Sequence, residues 1–203
     1  MSYILEHPAH VGTLLGVHVV LVLSALALAL VIAVPLGVAA ARSPRWGGFI
    51  VGVTGAIYTI PSLALLALLV AVIGLGTPTA IAALVLYAQM ILVRGIAAAL
   101  RGVDPALVDA ARGLGLTARQ ILLRVETPAA LPVVLASVRI AAVTLVALAT
   151  VAAWIDAGGL GTLIFEGIHT GDNRKIVAGA LASAVLAIAA DLGLRAVERT
   201  VQT

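Results

Sequence analysis

The sequence has no cysteine, which excludes disulfides, thiolate nucleophiles and cysteine-ligated metals. Lysine occurs once, as Lys175 in Asp172-Asn173-Arg174-Lys175-Ile176. A phosphate-cradling loop needs Gly-x-x-x-x-Gly-Lys-Ser/Thr, and this lysine lacks that context. The chain therefore carries no such loop, and any ATP it depends on is bound by another chain. Aromatic residues make up 3% and charged residues 10% of the 203 positions, where a soluble domain has about 25% charged residues. Apolar side chains stand in their place, 63% of the total, and the mean hydropathy is +1.21. These proportions exclude a soluble enzyme and a disordered or nucleic-acid-binding tail, despite a sequence pI near 10.0. The net charge is only +3, so what matters is where the basic residues sit.

The apolar runs are long and continuous, without the strict alternation of a membrane β-barrel strand. In lipid a backbone must satisfy its own hydrogen bonds, and about 20 helical residues cross a core about 30 Å thick. The sequence predicts an all-α membrane protein with five spans: Leu14–Ala41, Gly48–Ile73, Thr79–Leu100, Ala129–Ala153 and Ile176–Leu194. The first is too long for a removable signal peptide and lacks a basic start. Residues 1–11 read as an outer tail, 12–195 as the membrane domain and 196–203 as an inner tail. Short loops rich in Lys and Arg stay inside. With the N-terminus outside, nine basic residues (Arg42, Arg45, Arg94, Arg101, Arg112, Arg119, Arg124, Arg195, Arg199) lie inside. Two, Arg174 and Lys175, lie outside, and Arg139 is embedded. Trp46 and Trp154 fall at boundaries, where indole rings prefer to sit. The expectation is a multi-pass cell-membrane protein, N-terminus out and C-terminus in.

One long polar stretch interrupts this pattern, at residues 101–128. It reads as two short helices on the inner side. Asp104 can cap the first, with Pro105 in the first turn, where its missing N–H costs nothing. Leu107, Ala110, Ala111 and Leu114 then share a face, and Gly113 and Gly115 end the helix. Thr117 and Gln120 form a capping box for the second helix, Ile121, Leu122 and Val125 give its apolar face, and Pro128 and Pro132 restart the chain into the fourth span. Small residues at Ala110, Ala111, Gly113 and Gly115 let another backbone come close. Docking of a partner and a plain surface loop are both open on these residues alone.

At this point the sequence resembles a family. Asp109-Ala110-Ala111 is followed after three residues by Gly115, and after nine more by Val125-x-Thr127-Pro128. That is similar to the Glu-Ala-Ala…Gly…Ile-x-Leu-Pro coupling loop of binding-protein-dependent ABC importer permeases, with Asp109 for Glu, Val125 for Ile and Thr127 for Leu. Tyr58-Thr59-Ile60-Pro61-Ser62-Leu63, Gly74-Leu75-Gly76, Val103-Asp104-Pro105 and Asp156-Ala157-Gly158-Gly159-Leu160-Gly161 resemble the osmoprotectant subgroup, which carries glycine betaine, carnitine and choline. Arg94-Gly95 departs from that subgroup's usual Arg-Asn pair, and methionine permeases share the Gly-Gly-Leu-Gly element.

The resemblance implies a type I importer fold and a set of partners: a cytoplasmic ATPase dimer, a second permease subunit, an outer substrate-binding protein and membrane lipid, with no nucleic acid. ATP and magnesium would belong to the ATPase, and no cofactor or metal is expected on this chain. Asp109, Ala110, Ala111, Gly113, Gly115 and Pro128 are the implied ATPase-coupling residues. Tyr58, Pro61, Tyr87, Gly158, Gly159 and Gly161 are candidates for the translocation path, ordinary packing being the favoured account of the two tyrosines. With seven aromatics in all, the aromatic cage that holds a quaternary ammonium is expected in the separate binding protein.

Other polar residues fall outside these motifs. Arg139 lies a turn or two inside the fourth span, where snorkelling is the favoured account. Asp191 is a candidate partner for it, and Arg195 an equally simple partner for Asp191. His18 reads as a packed polar residue, while His7 and His10 have only a weak metal-like spacing. A membrane-embedded enzyme would need a Ser–His, paired-Asp or metal-ligand set within the bilayer, and His18, Arg139 and Asp191 make none. An assembly protein would not need a capped helix pair of partner size.

Overall fold

The computed structural model describes residues 2–202. It is helical from end to end: α1 (Ser2–Glu6), α2 (Pro8–Arg42), α3 (Pro44–Thr59), α4 (Ser62–Ile73), α5 (Thr77–Arg101), α6 (Pro105–Gly113), α7 (Ala118–Ile121), α8 (Thr127–Ala152), α9 (Gly161–Thr170) and α10 (Asn173–Gln202). A π segment (Leu122–Glu126) joins α7 to α8, and a 3₁₀ turn (Ala153–Ile155) follows α8. Four helical stretches are long and apolar enough to cross a membrane: Pro8–Arg42, Thr77–Arg101, Ala118–Ile155 and Asn173–Thr200.

The core runs where α2, α5 and α8 meet. On α2 the buried residues recur every three to four positions, as His18, Leu21, Ala25, Ala29, Ala33, Gly37 and Ala40. Small side chains dominate that stripe for a physical reason. Lipid tails are as apolar as leucine, so helices associate by close packing rather than by escape from water. A Cβ at Gly37 would lie 2.7 Å from the Ile96 side chain, and one at Gly95 would collide with Ser137. The opposite face of α2 carries Val20, Leu23, Leu28 and Val31, all exposed and suited to lipid.

The structure corrects two expectations. The second span is not one helix: α3 and α4 meet at 98° across a break at Ile60–Pro61. Proline lacks an N–H and disfavours helical geometry in the residue before it, and Ile60 is extended, with φ −68° and ψ 128°. The apolar run hides that break because Ile60 and its neighbours stay apolar throughout. Second, Pro128 and Pro132 restart nothing. Ala118–Ile155 is one 38-residue helix, in which the wider π register absorbs the local strain. Thr127 donates its N–H to Leu122 O, five residues back. The stretch after the glycine cluster, outside the five predicted spans, is also helical. Residues 161–170 form α9, which turns at Gly171 (φ 68°) and packs back on α10. Residues 2–11 are also ordered. Tyr3 stacks on His7 at 4.6 Å and is buried with Val11, Leu163 and Ala178.

Candidate functional site

The polar loop folds as its caps dictate. Asp104 Oδ1 accepts from Ala106 N–H at 2.8 Å, and Thr117 and Gln120 complete a reciprocal capping box. Helix α6 ends in a compact turn: Leu116 N–H reaches Ala111 O at 3.2 Å and Gly115 adopts φ 79°. Asp109, Ala110, Gly113 and Gly115 are exposed, whereas Ala111 is buried and faces its own protein. Pro128 is exposed but sits beyond the loop, in the first turn of α8. Leu107 and Leu114, 51% and 81% exposed, flank Ala110 on an apolar ridge with no partner among the described residues. The inner side is anchored, with Val103 and Val108 packed against Ala130 and Val134.

The break at Pro61 brings Tyr58 and Tyr87 together. Their rings lie 5.9 Å apart, edge to face at 78°. Tyr87 is buried, and its hydroxyl donates to Ile60 O, so it props the break rather than lining open space. Tyr58 and Pro61 are exposed. The last carbonyls of a helix have no intrahelical partner. Here Ala56 O takes the Thr59 hydroxyl and Ile57 O takes Ile60 N–H. The carbonyls of Tyr58 and Thr59 receive no hydrogen bond from the described residues.

The third candidate set, Gly158, Gly159 and Gly161, is a packing device. Gly158 and Gly159 have φ 76° and 82°, a region that favours glycine. Gly159 and Gly161 are buried: a Cβ on Gly159 would lie 2.9 Å from His18 Nδ1, and one on Gly161 would collide with Thr150 O. The fully buried His18 ties this loop to two helices. Its Nε2 stands 3.1 Å from Val146 O, and its Nδ1 accepts Leu160 N–H at 3.2 Å. A carbonyl on one side and an N–H on the other require the neutral ring with its proton on Nε2. The three path-candidate glycines and the two tyrosines therefore belong to separate places.

Ion pairs tie the helices to one another, among them two sets on the long helices. Arg139 does not snorkel: it pairs with Asp191 at 2.9 Å and also with Glu198 at 3.4 Å, joining α8 to α10. Arg42 holds Glu126 through both terminal nitrogens, one of them 3.1 Å from Oε1. This second pair is absent from the sequence reading. A buried glutamate in an apolar helix needs a cation, and that signal stands at Glu126. Outside the spans, burial pushes the Asp172 carboxyl up, but hydrogen bonds from Arg174 and Lys175 outweigh it and hold it below its ordinary value. No group of three or more metal-ligating side chains occurs among the described residues.

A multi-pass helical protein with a capped, apolar-ridged helix outside the bundle and a span broken at proline has the build of a membrane transport permease. The chain matches the family of binding-protein-dependent transport system inner membrane components over residues 33–203, and it belongs to that family. It is 39% identical over 181 residues to the carnitine transport permease protein OpuCB of Listeria monocytogenes, covering 89% of this chain and 83% of that protein. The glycine betaine/carnitine/choline permease protein OpuCB of Bacillus subtilis is 36% identical, with coverage of 92% and 86%. The osmoprotectant import permease protein OsmW of Salmonella typhimurium is 38% identical, with coverage of 94% and 91%. Among solved structures, the inward-facing MetNI methionine ABC transporter superposes with a TM-score of 0.86 over 94% of this chain and 95% of that one, at 21% identity. That likeness concerns the fold. The protein is a multi-pass inner-membrane transport component.

Proposed function

We propose that this chain is the permease subunit of an ATP-driven importer and that, paired with a second permease subunit, it forms the path for a small quaternary-ammonium osmoprotectant such as glycine betaine, carnitine or choline. The observation that carries the substrate class is identity of 36–39% over about nine-tenths of the chain to permeases named for those solutes. The methionine alternative rests on the shared Gly-Gly-Leu-Gly element and on fold likeness at 21% identity, and is the weaker reading.

In this reading the loop at 101–128 lies in the cytoplasm, with the N-terminus outside, because nine basic residues then lie inside against two outside. Two ATPase subunits dock on the exposed ridge of Leu107, Ala110 and Leu114, around Asp109 and the glycine turn. Binding ATP and magnesium on those partners biases one conformation of the bundle over the other through differential contacts. An outer binding protein supplies high-affinity capture.

The break at Pro61 offers the transient site. The C-terminal end of α3 presents the free carbonyls of Tyr58 and Thr59 and a partial negative charge, which suit a trimethylammonium group. The exposed Tyr58 ring adds cation–π attraction of about 0.5–2 kcal/mol. The N-terminus of α4 faces the break with a partial positive charge, which suits the carboxylate of betaine or carnitine.

The test is uptake of radiolabelled glycine betaine by a strain lacking other carriers and expressing the whole importer, competed with carnitine, choline and methionine. Competition by the quaternary amines is expected. Competition by methionine alone would replace this substrate assignment.

A further inference from the structure

We propose that Arg42, Arg101 and Glu126 are positioning residues that clamp both ends of the coupling loop onto the last turn of α2, so that movement of the loop is delivered to the bundle and not lost in the loop. The inference rests on the importer reading above and adds the residues through which its force passes.

The loop leaves the bundle at Arg101, the last residue of α5, and rejoins it in the π segment that ends at Glu126. Those two points reach the same place. The Arg101 guanidinium donates to Ala40 O, and Arg42 grips Glu126 with both terminal nitrogens. Ala40 and Arg42 share the last turn of α2, which ends at Arg42. The first turn of α3 closes over the same point, since a Cβ on Gly47 would lie 2.8 Å from the Arg101 guanidinium. Three helices and the rod Ala118–Ile155 thus meet at one knot, and the loop hangs from it at both ends.

The chemistry of the knot suits a positioning role better than a stabilising one. The Glu126 side chain is 7% exposed and that of Arg42 46%. Removing a carboxylate from water costs about as much as such a pair returns, so a half-buried bridge is weak evidence for stability. What a two-toothed arginine–carboxylate pair does supply is a fixed relative orientation. Glu126 also stands in the π segment, whose wider turn swings its side chain out of the ordinary helical register.

The experiment uses the whole importer in proteoliposomes, with permease, ATPase and binding protein present. It reads solute transported per ATP hydrolysed in E126Q and in the double variant R42M/E126L. The double variant replaces the pair by apolar groups of similar size, a change that spares folding. Both variants are expected to keep the ATPase on purification and to lose at least about ten-fold in the transport ratio, with hydrolysis continuing. A wild-type ratio in either variant would overturn the clamp. So would failure of both to accumulate in the membrane, which would make the pair a determinant of folding. If the wild-type permease itself purifies without an ATPase, the importer reading falls instead, and the clamp with it.

Discussion

Replacing His18 by alanine tests how much one buried ring holds together. The ring is fully buried between α2, α8 and the loop before α9, and it bonds Val146 O and Leu160 N–H. Side-chain hydrogen bonds in membrane proteins average about 0.6 kcal/mol, so the two together contribute about 1 kcal/mol. The void left behind costs more: removing a buried side chain of this size destabilises by about 2–4 kcal/mol where the surroundings cannot collapse. They cannot collapse freely here, because Gly159 lies so close that even a Cβ on it would stand 2.9 Å from Nδ1, and its backbone is fixed by two successive left-handed residues. Together the two effects come to about 3–5 kcal/mol. At about 2–4 °C per kcal/mol for a chain of this size, H18A is expected to lower the thermal midpoint in detergent by about 6–20 °C. Trp154, next to this loop, supplies the fluorescence signal. In H18N the amide oxygen can still accept from Leu160 N–H, and the loss is expected to be about half as large. A shift below about 3 °C in H18A, or an H18N no better than H18A, would refute the reasoning.

Further outcomes follow from the same geometry. G159A adds a Cβ 2.9 Å from His18 Nδ1 at φ 82°, so its thermal midpoint should also fall by several degrees; combined with H18A the losses should not add, because removing the ring relieves the contact. G115V meets nothing within 4 Å but forces a β-branched residue to φ 79°; the protein should reach the membrane in normal amount while uptake is lost, and normal uptake would count against the docking role. R139M leaves Asp191 and Glu198 without their shared cation and should cost about 3–5 kcal/mol, read as a lowered midpoint, whereas D191N should cost less because Glu198 remains. A protease-sensitive tag at residue 1 should be cut from outside intact cells and a tag at residue 203 should not; the reverse pattern would invert the proposed topology.

The polar loop is readable because its signals are local. A cap at Asp104, a capping box from Thr117 to Gln120 and a glycine at the turn each act within four residues, and all three form. Helix α9 is hidden because Gly161 and Gly167 argue against a helix, yet both are there to let α8 and α10 come close. The bend at Pro61 is a local signal too, but an unbroken apolar run outweighs it. Pro128 misleads in the opposite sense, since a π segment lets the chain pass through proline without stopping. Least legible are partners remote in sequence. His18 and Leu160 stand 142 positions apart, Arg42 and Glu126 84, and Arg139 and Asp191 52. Charge and position make Asp191 a candidate for Arg139, but they leave Arg195 as good a choice for Asp191. Only the packing of whole helices decides such pairs.

The unbroken helix from Ala118 to Ile155 spans 38 residues, about 57 Å at 1.5 Å per residue, nearly twice the thickness of a bilayer's hydrocarbon core. Its one end carries the polar elbow and its other the glycine corner lodged against a histidine. Its two softer places, the π segment and Pro132, both lie near its foot. Beyond Pro132 the beam runs on as α-helix to Ala152, so whatever tilts it there swings the glycine corner at its head.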